Sequence, residues 1–516
     1  MSIGKLKTAK LCFMNCHVFI VIKYPHLYTT KSHFSDVKME AGYQAEHLHF
    51  VSGHNGSDPW SLAVVGGPVH CSQLVLVAGA QLGLDYSSWA GLVAEWAVLV
   101  LPTLLALTIL HEHAATLGLA SLALAAAALL AAHWARRHVR PAHSWQGGAR
   151  SAFVTNHRAL MIVFTTVGIL AVDFPAFPRK FAKTETFGYG WMDLGVGSFT
   201  FVNGLVSSEA RRVASSWRGA VSGCLPLVAL GLARLASVTV TGYHSHVTEY
   251  GTHWNFFFSL AAVRLLSSGL LAAVGPASTK TLWVASMAVA VIYEGFLTFG
   301  LADWVLASDE VAPRTDLVSA NREGLCSSLG YLALYLAGVS WGREVFELNR
   351  SVSELVVMLR LLVLWSAVMW GSLGYSLTFF LPPSRRLANY TFFTWIVAYN
   401  LTVLTAFLLT DLLIIHLQSK AKTKAGKIKA KNLKTEPEKT SESSQMYRCP
   451  NFVKAVDYNP LLFFLLANLG TGLVNMTVET IRSEDTAAVL ILLLYQASLA
   501  LVATILYRFK IKLKFW

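Results

Sequence analysis

Long apolar runs recur along almost the whole chain, and they leave it few choices of fold. A helix needs about 20 mostly apolar residues to cross a bilayer, and lipid forces backbone polar groups to be satisfied within the segment. Thirteen stretches meet that description, near residues 62–84, 92–111, 114–134, 152–173, 191–207, 219–238, 252–274, 281–299, 324–341, 354–378, 388–416, 460–480 and 487–507. The runs are continuous and rich in Leu, Ala and Val, whereas strands of a membrane β-barrel alternate. Composition agrees: of 516 residues 54% are hydrophobic and only 14% charged, with mean hydropathy +0.50. The expected fold is an all-α polytopic membrane protein, about 13 transmembrane helices in one bundle with an internal polar pocket. The second and third runs nearly fuse through residues 110–114, so twelve spans are also defensible.

The net charge of +13 does not point to nucleic acid, because much of the excess lies in residues 420–439 and in short loops beside the runs. Basic residues in such loops mark the cytosolic side. Arg136, Arg137, Arg140 and Arg150 follow the third run, Arg211, Arg212 and Arg218 the fifth, the 420–434 lysines the eleventh, and residues 508–514 the last. With thirteen crossings all four groups share one side, which places the N-terminus in the lumen and the C-terminus in the cytosol. Lys512 and Lys514 near the end resemble a dilysine endoplasmic-reticulum retrieval signal; the plainer alternative is one more basic flank. Both readings give the same topology.

This divides the chain into an atypical N-terminal extension, 1–38, with Met39 as an alternative start. A luminal segment, 39–61, carries the glycosylation sequon at Asn55. The first eleven spans occupy 62–416, a cytosolic lysine-rich loop 417–459, and the last two spans with the tail 460–516. Six scattered cysteines offer no four-ligand zinc spacing, and no metal is expected.

Residues 171–201, AVDFPAFPRKFAKTETFGYGWMDLGVGSFTF, are the densest polar cassette between two runs. Ionisable groups at the edge of hydrocarbon are costly and usually serve a site. Pro175 and Pro178 forbid a continuous helix, so the loop can fold back and bring Asp173 to Lys183. Apolar surroundings disfavour an ionised carboxylate and nearby cations favour it. Such a group can act as general base towards an alcohol while a lysine stabilises the developing oxyanion. The alternative is an ion pair that pins two helices.

Arg179 and Lys180 suit a phosphate, or simply anchor a helix end. His246, Glu249 and His253 share one face if helical; a third metal ligand is missing, and a hydrogen-bonding or substrate-lining role is expected. Asn468, Thr471, Asn475 and Glu479 form a polar stripe that either contacts substrate or bonds between helices. Asn321, Arg322 and Glu323, and Arg385, Arg386 and Asn389, open two further runs on the same side. Five polar clusters on one leaflet predict a single pocket. No phosphate-binding loop, dinucleotide fingerprint or serine-hydrolase elbow is present.

At these stretches, together with 246–258, 319–331, 384–400, 463–480 and FVSGHNGS at 50–57, the chain resembles the GPI-anchored wall transfer protein family, the class W component of phosphatidylinositol-glycan biosynthesis. The resemblance covers about residues 39–516. It implies an endoplasmic-reticulum enzyme that moves a fatty acyl chain, typically palmitoyl, from acyl-CoA to the inositol 2-hydroxyl of glucosaminyl-phosphatidylinositol. Asp173 and Lys183 match the family's proposed catalytic pair. Palmitoyl-CoA is then a co-substrate, with no cofactor bound permanently and no obligate protein partner evident; endoplasmic-reticulum lipids complete the surroundings. Without the resemblance, a polytopic lipid transporter or flippase competes, since polar groups and glycine-broken helices suit alternating access; a non-catalytic subunit of a GPI-assembly complex comes third.

Overall fold

The computed structural model describes residues 41–135, 152–213, 217–241, 247–275, 277–347, 351–429 and 449–513. The 1–38 extension, His246, Arg136, Arg137, Arg140, Arg150 and Lys514 lie outside the described residues. The helices in chain order are α1 Ala41–Val51, α2 Pro59–Gly66, α3 Pro68–Gln81, α4 Trp89–Leu107, α5 Ala114–Ala135, α6 Ala152–Ala171 and α7 Trp191–Leu205. There follow α8 Trp217–Thr241, α9 Val247–Tyr250, α10 Phe256–Val274, α11 Thr279–Phe296, α12 Ala302–Leu306 and α13 Leu317–Ala320. The last six are α14 Arg322–Glu347, α15 Val352–Phe379, α16 Tyr390–Lys429, α17 Asn451–Tyr458, α18 Pro460–Thr477 and α19 Asp485–Arg508.

Among the described residues 12 helices are long and apolar enough to cross a membrane. The remaining expected span is α7, whose 15 residues cover about 22 Å against a hydrocarbon core of about 30 Å. Its neighbours explain how so short a helix is held. A methyl group on Gly338 or Gly342 of α14 would strike the carbonyl oxygens of Phe201 and Leu205, and one on Gly204 of α7 would strike that of Tyr335. Backbones touch where side chains are absent, the packing that membrane helices use in place of a hydrophobic drive. The second and third runs are not fused: Thr108 leaves the helical region and a 3-10 turn, His111–His113, separates α4 from α5.

Within 417–459, expected as a loop, α16 stays helical to Lys429 and α17 is a packed element. Phe452, Val453, Ala455 and Val456 are buried on one side of α17. Glu95 of α4 accepts the backbone N–H groups of Asn451 and Phe452 at 3.0 and 2.8 Å, which satisfies donors a helix start otherwise leaves orphaned. In the same way Glu294 of α11 accepts from Tyr390 N, 2.8 Å, at the start of α16.

Backbone hydrogen bonds tie the loops at one end of the bundle together. Ser57 N donates to Tyr189 O, Glu185 N to His54 O, Gly188 N to Pro383 O and Thr252 N to Ala320 O. At the other end Asn459 holds the tail, donating to Ile511 O at 2.9 Å and accepting from Leu513 N at 2.9 Å. The first and last described segments therefore sit at opposite ends.

Candidate functional site

The polar end is built from the loop between α6 and α7. Its prolines end α6 and leave carbonyls without helical partners, and Arg179 collects them. The guanidinium donates to Val172 O (2.8 Å), Phe174 O (2.9 Å), Phe177 O (2.6 and 3.1 Å) and Phe50 O (3.5 Å), and lies 4.0 Å over the Phe50 ring. Burial lowers its pKa to about 10, opposed by Asp173, so it stays charged at neutral pH. Its donors are spent on the chain itself, which corrects the expectation that Arg179 meets a phosphate. Lys180 is exposed, its ammonium 5.3 Å from the Phe181 ring centroid.

Asp173, buried, is held from two distant segments. Asn475 of α18 donates to Oδ2 at 2.9 Å, and His47 of α1 brings Nε2 within 3.2 Å of Oδ1. Asn475 Oδ1 and His47 Nε2 are buried without a hydrogen bond, so polar capacity remains beside the carboxylate. The start of α1 is pinned here too, by Arg482, which bridges Glu46 and Glu479 and lies over the Tyr43 ring. His47 carried no sequence signal: it belongs to a segment read only as luminal N-terminal chain.

Lys183 does not pair with Asp173, as the folded-back loop was expected to arrange. Its Nζ lies 3.1 Å from Glu249 Oε1. Glu249 also meets Arg385 at 3.3 Å, and Arg385 Nε donates to Asp193 Oδ1 at 2.7 Å. Asp193 Oδ2 then accepts from Thr184 N at 2.9 Å, back in the same loop. Burial alone would raise the Glu249 pKa, but Lys183 and Arg385 outweigh it and pull it down to about 2. Burial opposes charge on Arg385 as well, yet Glu249 and Asp193 hold its pKa well above the usual range. Lys183, Glu249, Arg385 and Asp193 thus form one alternating chain of charges. Of these four, the sequence singles out Lys183 and Glu249 as site residues and Arg385 as part of a cluster, whereas Asp193 lies in the 171–201 cassette without a role of its own.

The other candidates divide clearly. Asn321, buried, accepts from His253 N at 2.8 Å and donates to Leu317 O at 2.9 Å, while the His253 side chain is exposed. Arg322 is wholly buried and donates to Ala307 O and Ala312 O at 2.5 and 2.7 Å. Arg386 donates to Glu323 at 3.0 Å, which also receives Arg314 in a two-pronged contact at 2.6 and 3.0 Å. Asn389 is saturated by Ser384 N, Leu381 O and Pro382 O. Asn468 donates to Phe464 O in its own helix. Asn321, Arg322, Arg386 and Asn389 spend their polar groups on loop structure, whereas Asp173 pairs with Asn475 and Lys183 with Glu249. Asn55 is exposed at the polar end, and no metal-binding group of His, Cys, Asp or Glu occurs among the described residues.

An all-helical bundle with 12 helices long and apolar enough to cross a bilayer among the described residues defines a multi-pass membrane protein. The GWT1 family model matches residues 43–506, and the chain belongs to the GWT1 family. It is similar to human glucosaminyl-phosphatidylinositol-acyltransferase PIGW, 35% identical over 375 residues that cover 70% of this chain and 74% of the relative. The GPI-anchored wall transfer protein 1 of Gibberella zeae is 38% identical over 400 residues, 70% of this chain and 74% of the relative. That of Kluyveromyces lactis is 32% identical over 478 residues, covering 90% and 96%.

Proposed function

We propose that this protein is a membrane acyltransferase of GPI-anchor biosynthesis that acylates the inositol of glucosaminyl-phosphatidylinositol. The relatives' names support the reaction class. The observation that carries the site is the buried Asp173 carboxylate, oriented by Asn475 through Oδ2 and left with unspent polar atoms around it. The donor in this reading is palmitoyl-CoA, and the membrane is that of the endoplasmic reticulum, N-terminus luminal and C-terminus cytosolic.

Asp173 takes the proton of the inositol 2-hydroxyl as the oxygen attacks the thioester carbonyl. The tetrahedral oxyanion is met by Lys183, whose ammonium keeps donors free beyond the one given to Glu249. Collapse breaks the C–S bond, CoA leaves as thiolate and takes up the proton, and the acyl ester remains on inositol. A thioester is already activated, so no acyl-enzyme is needed. With the site in the luminal half, the acyl-CoA thioester has to reach it from the cytosolic face through the bundle.

The test is purified full-length protein with labelled palmitoyl-CoA and glucosaminyl-phosphatidylinositol. Acyl ester on inositol is expected from the wild type and none from Asp173→Asn. Normal turnover by that variant removes Asp173 from its role.

A further inference from the structure

Nε2 of His47 stands 3.2 Å from Asp173 Oδ1, the oxygen that the Asn475 amide leaves open. The nitrogen is buried and makes no hydrogen bond to any described residue, while the side chain as a whole keeps 19% of its surface exposed. The imidazole therefore spans the step from a buried carboxylate to the surface of the bundle. A contact that short without hydrogen-bond alignment is what catalytic pairs often show before substrate arrives.

Anchoring α1 does not depend on this contact. Arg482 bridges Glu46 and Glu479 and lies over the Tyr43 ring, and Arg179 lies over the Phe50 ring. The ionisable groups about the imidazole come from four places. Asp173 faces it from the end of α6, and Arg179 belongs to the loop that follows. Arg482 and Glu479 come from the connection between α18 and α19, and Tyr43, Glu46 and His49 from its own helix.

A base that has taken a proton must lose it before the next turnover. The amide of Asn475 cannot take it from Oδ2, whereas an imidazole gains and loses a proton near neutral pH and stands at Oδ1.

We propose that His47 carries the proton away from Asp173. The inositol O–H bond breaks as the Oδ1–H bond forms on Asp173; that bond then breaks as Nε2–H forms, which restores the carboxylate beside an imidazolium. The imidazolium passes a proton through water to the departing CoA thiolate, so that in sum one alcohol proton moves to one thiol. His47 acts through Asp173 and resets it, without touching the substrate. The inference rests on the acyltransferase reading above and deepens it.

Steady-state kinetics on the full-length protein test this, with each substrate varied at saturation of the other. His47→Ala is expected to lower kcat at least about tenfold and to leave the KM values for palmitoyl-CoA and glucosaminyl-phosphatidylinositol within about twofold. Imidazole added to the buffer should restore much of the loss, whereas pyrazole, of the same shape but a far weaker base, should not. An unchanged kcat overturns the proposal. So does a loss that imidazole leaves as it is or that pyrazole restores equally, since His47 would then be a prop for α1. A wild type that forms no ester would refute the acyltransferase reading instead. Should His47→Ala not fold, wild-type protein still decides: carbethoxylation of His47, mapped by mass spectrometry, should track the fall in kcat. Full turnover with His47 modified overturns the proposal.

Discussion

Asp173 and Asn475, far apart in the chain, meet through a 2.9 Å hydrogen bond from the asparagine amide to carboxylate Oδ2. That bond fixes which oxygen is occupied and leaves Oδ1 facing His47. A general base needs such orientation, because proton transfer is efficient only from a narrow range of geometries.

Replacing Asp173 by Asn removes the base while keeping the side chain's shape. Inositol acylation should fall at least about a hundredfold, with expression and melting temperature in detergent close to wild type. Asn475→Ala should lower kcat less than this, since it loosens the carboxylate without removing it; Asn475→Asp should be worse than Ala, because like charges would face each other.

Arg179 acts on the loop, not on a ligand. Arg179→Ala should cost on the order of 2 kcal/mol by unmaking hydrogen bonds from a charged donor. Lys at this position should not rescue it, because a point charge cannot reproduce a planar fork that reaches several carbonyls. Thermal melts of the two variants against wild type check this.

The charge chain through Glu249 gives a pH signature. Its folded pKa of about 2 lies below the ordinary 4.5, so the ionised carboxylate favours the fold. That stability is complete above about 4.5 and drains away as pH falls towards 2. Glu249→Gln should therefore melt earlier than wild type at pH 7, with the gap closing progressively between about pH 4.5 and 2. A gap that is constant with pH would contradict the ion pairs with Lys183 and Arg385.

Close backbone approach between α7 and α14 depends on Gly338 and Gly342. Gly338→Val should destabilise by about 1–3 kcal/mol through overpacking and, by shifting the helix that carries Asp193, should depress activity as well. Gly371 of α15, where an added methyl meets open space, should tolerate Ala; melting temperature and acylation rate of the two variants compare the sites.

The apolar runs specified the helices because the constraint is local: each segment must bury its own backbone polar groups, and about 20 residues is what the bilayer demands. Length alone did not settle α7, whose 15 residues are accommodated only because glycines on a neighbouring helix admit its carbonyls. The cassette 171–201 stood out for a similar local reason, since prolines and charges between two apolar runs can be read directly. Pairing could not be read that way. A lysine near an aspartate in sequence looks like its partner, but the fold offered Lys183 the carboxylate of Glu249, and offered Asp173 an amide and an imidazole from opposite ends of the chain. Arg179 looked free until the broken helix placed its orphan carbonyls around it. Helical periodicity is a property of neighbouring residues, whereas ion pairs in a low dielectric are settled by which charges the packed helices bring within a few ångströms. That is why the elements and the cassette were legible in the amino-acid sequence, and the wiring of the charges was decided by the tertiary structure.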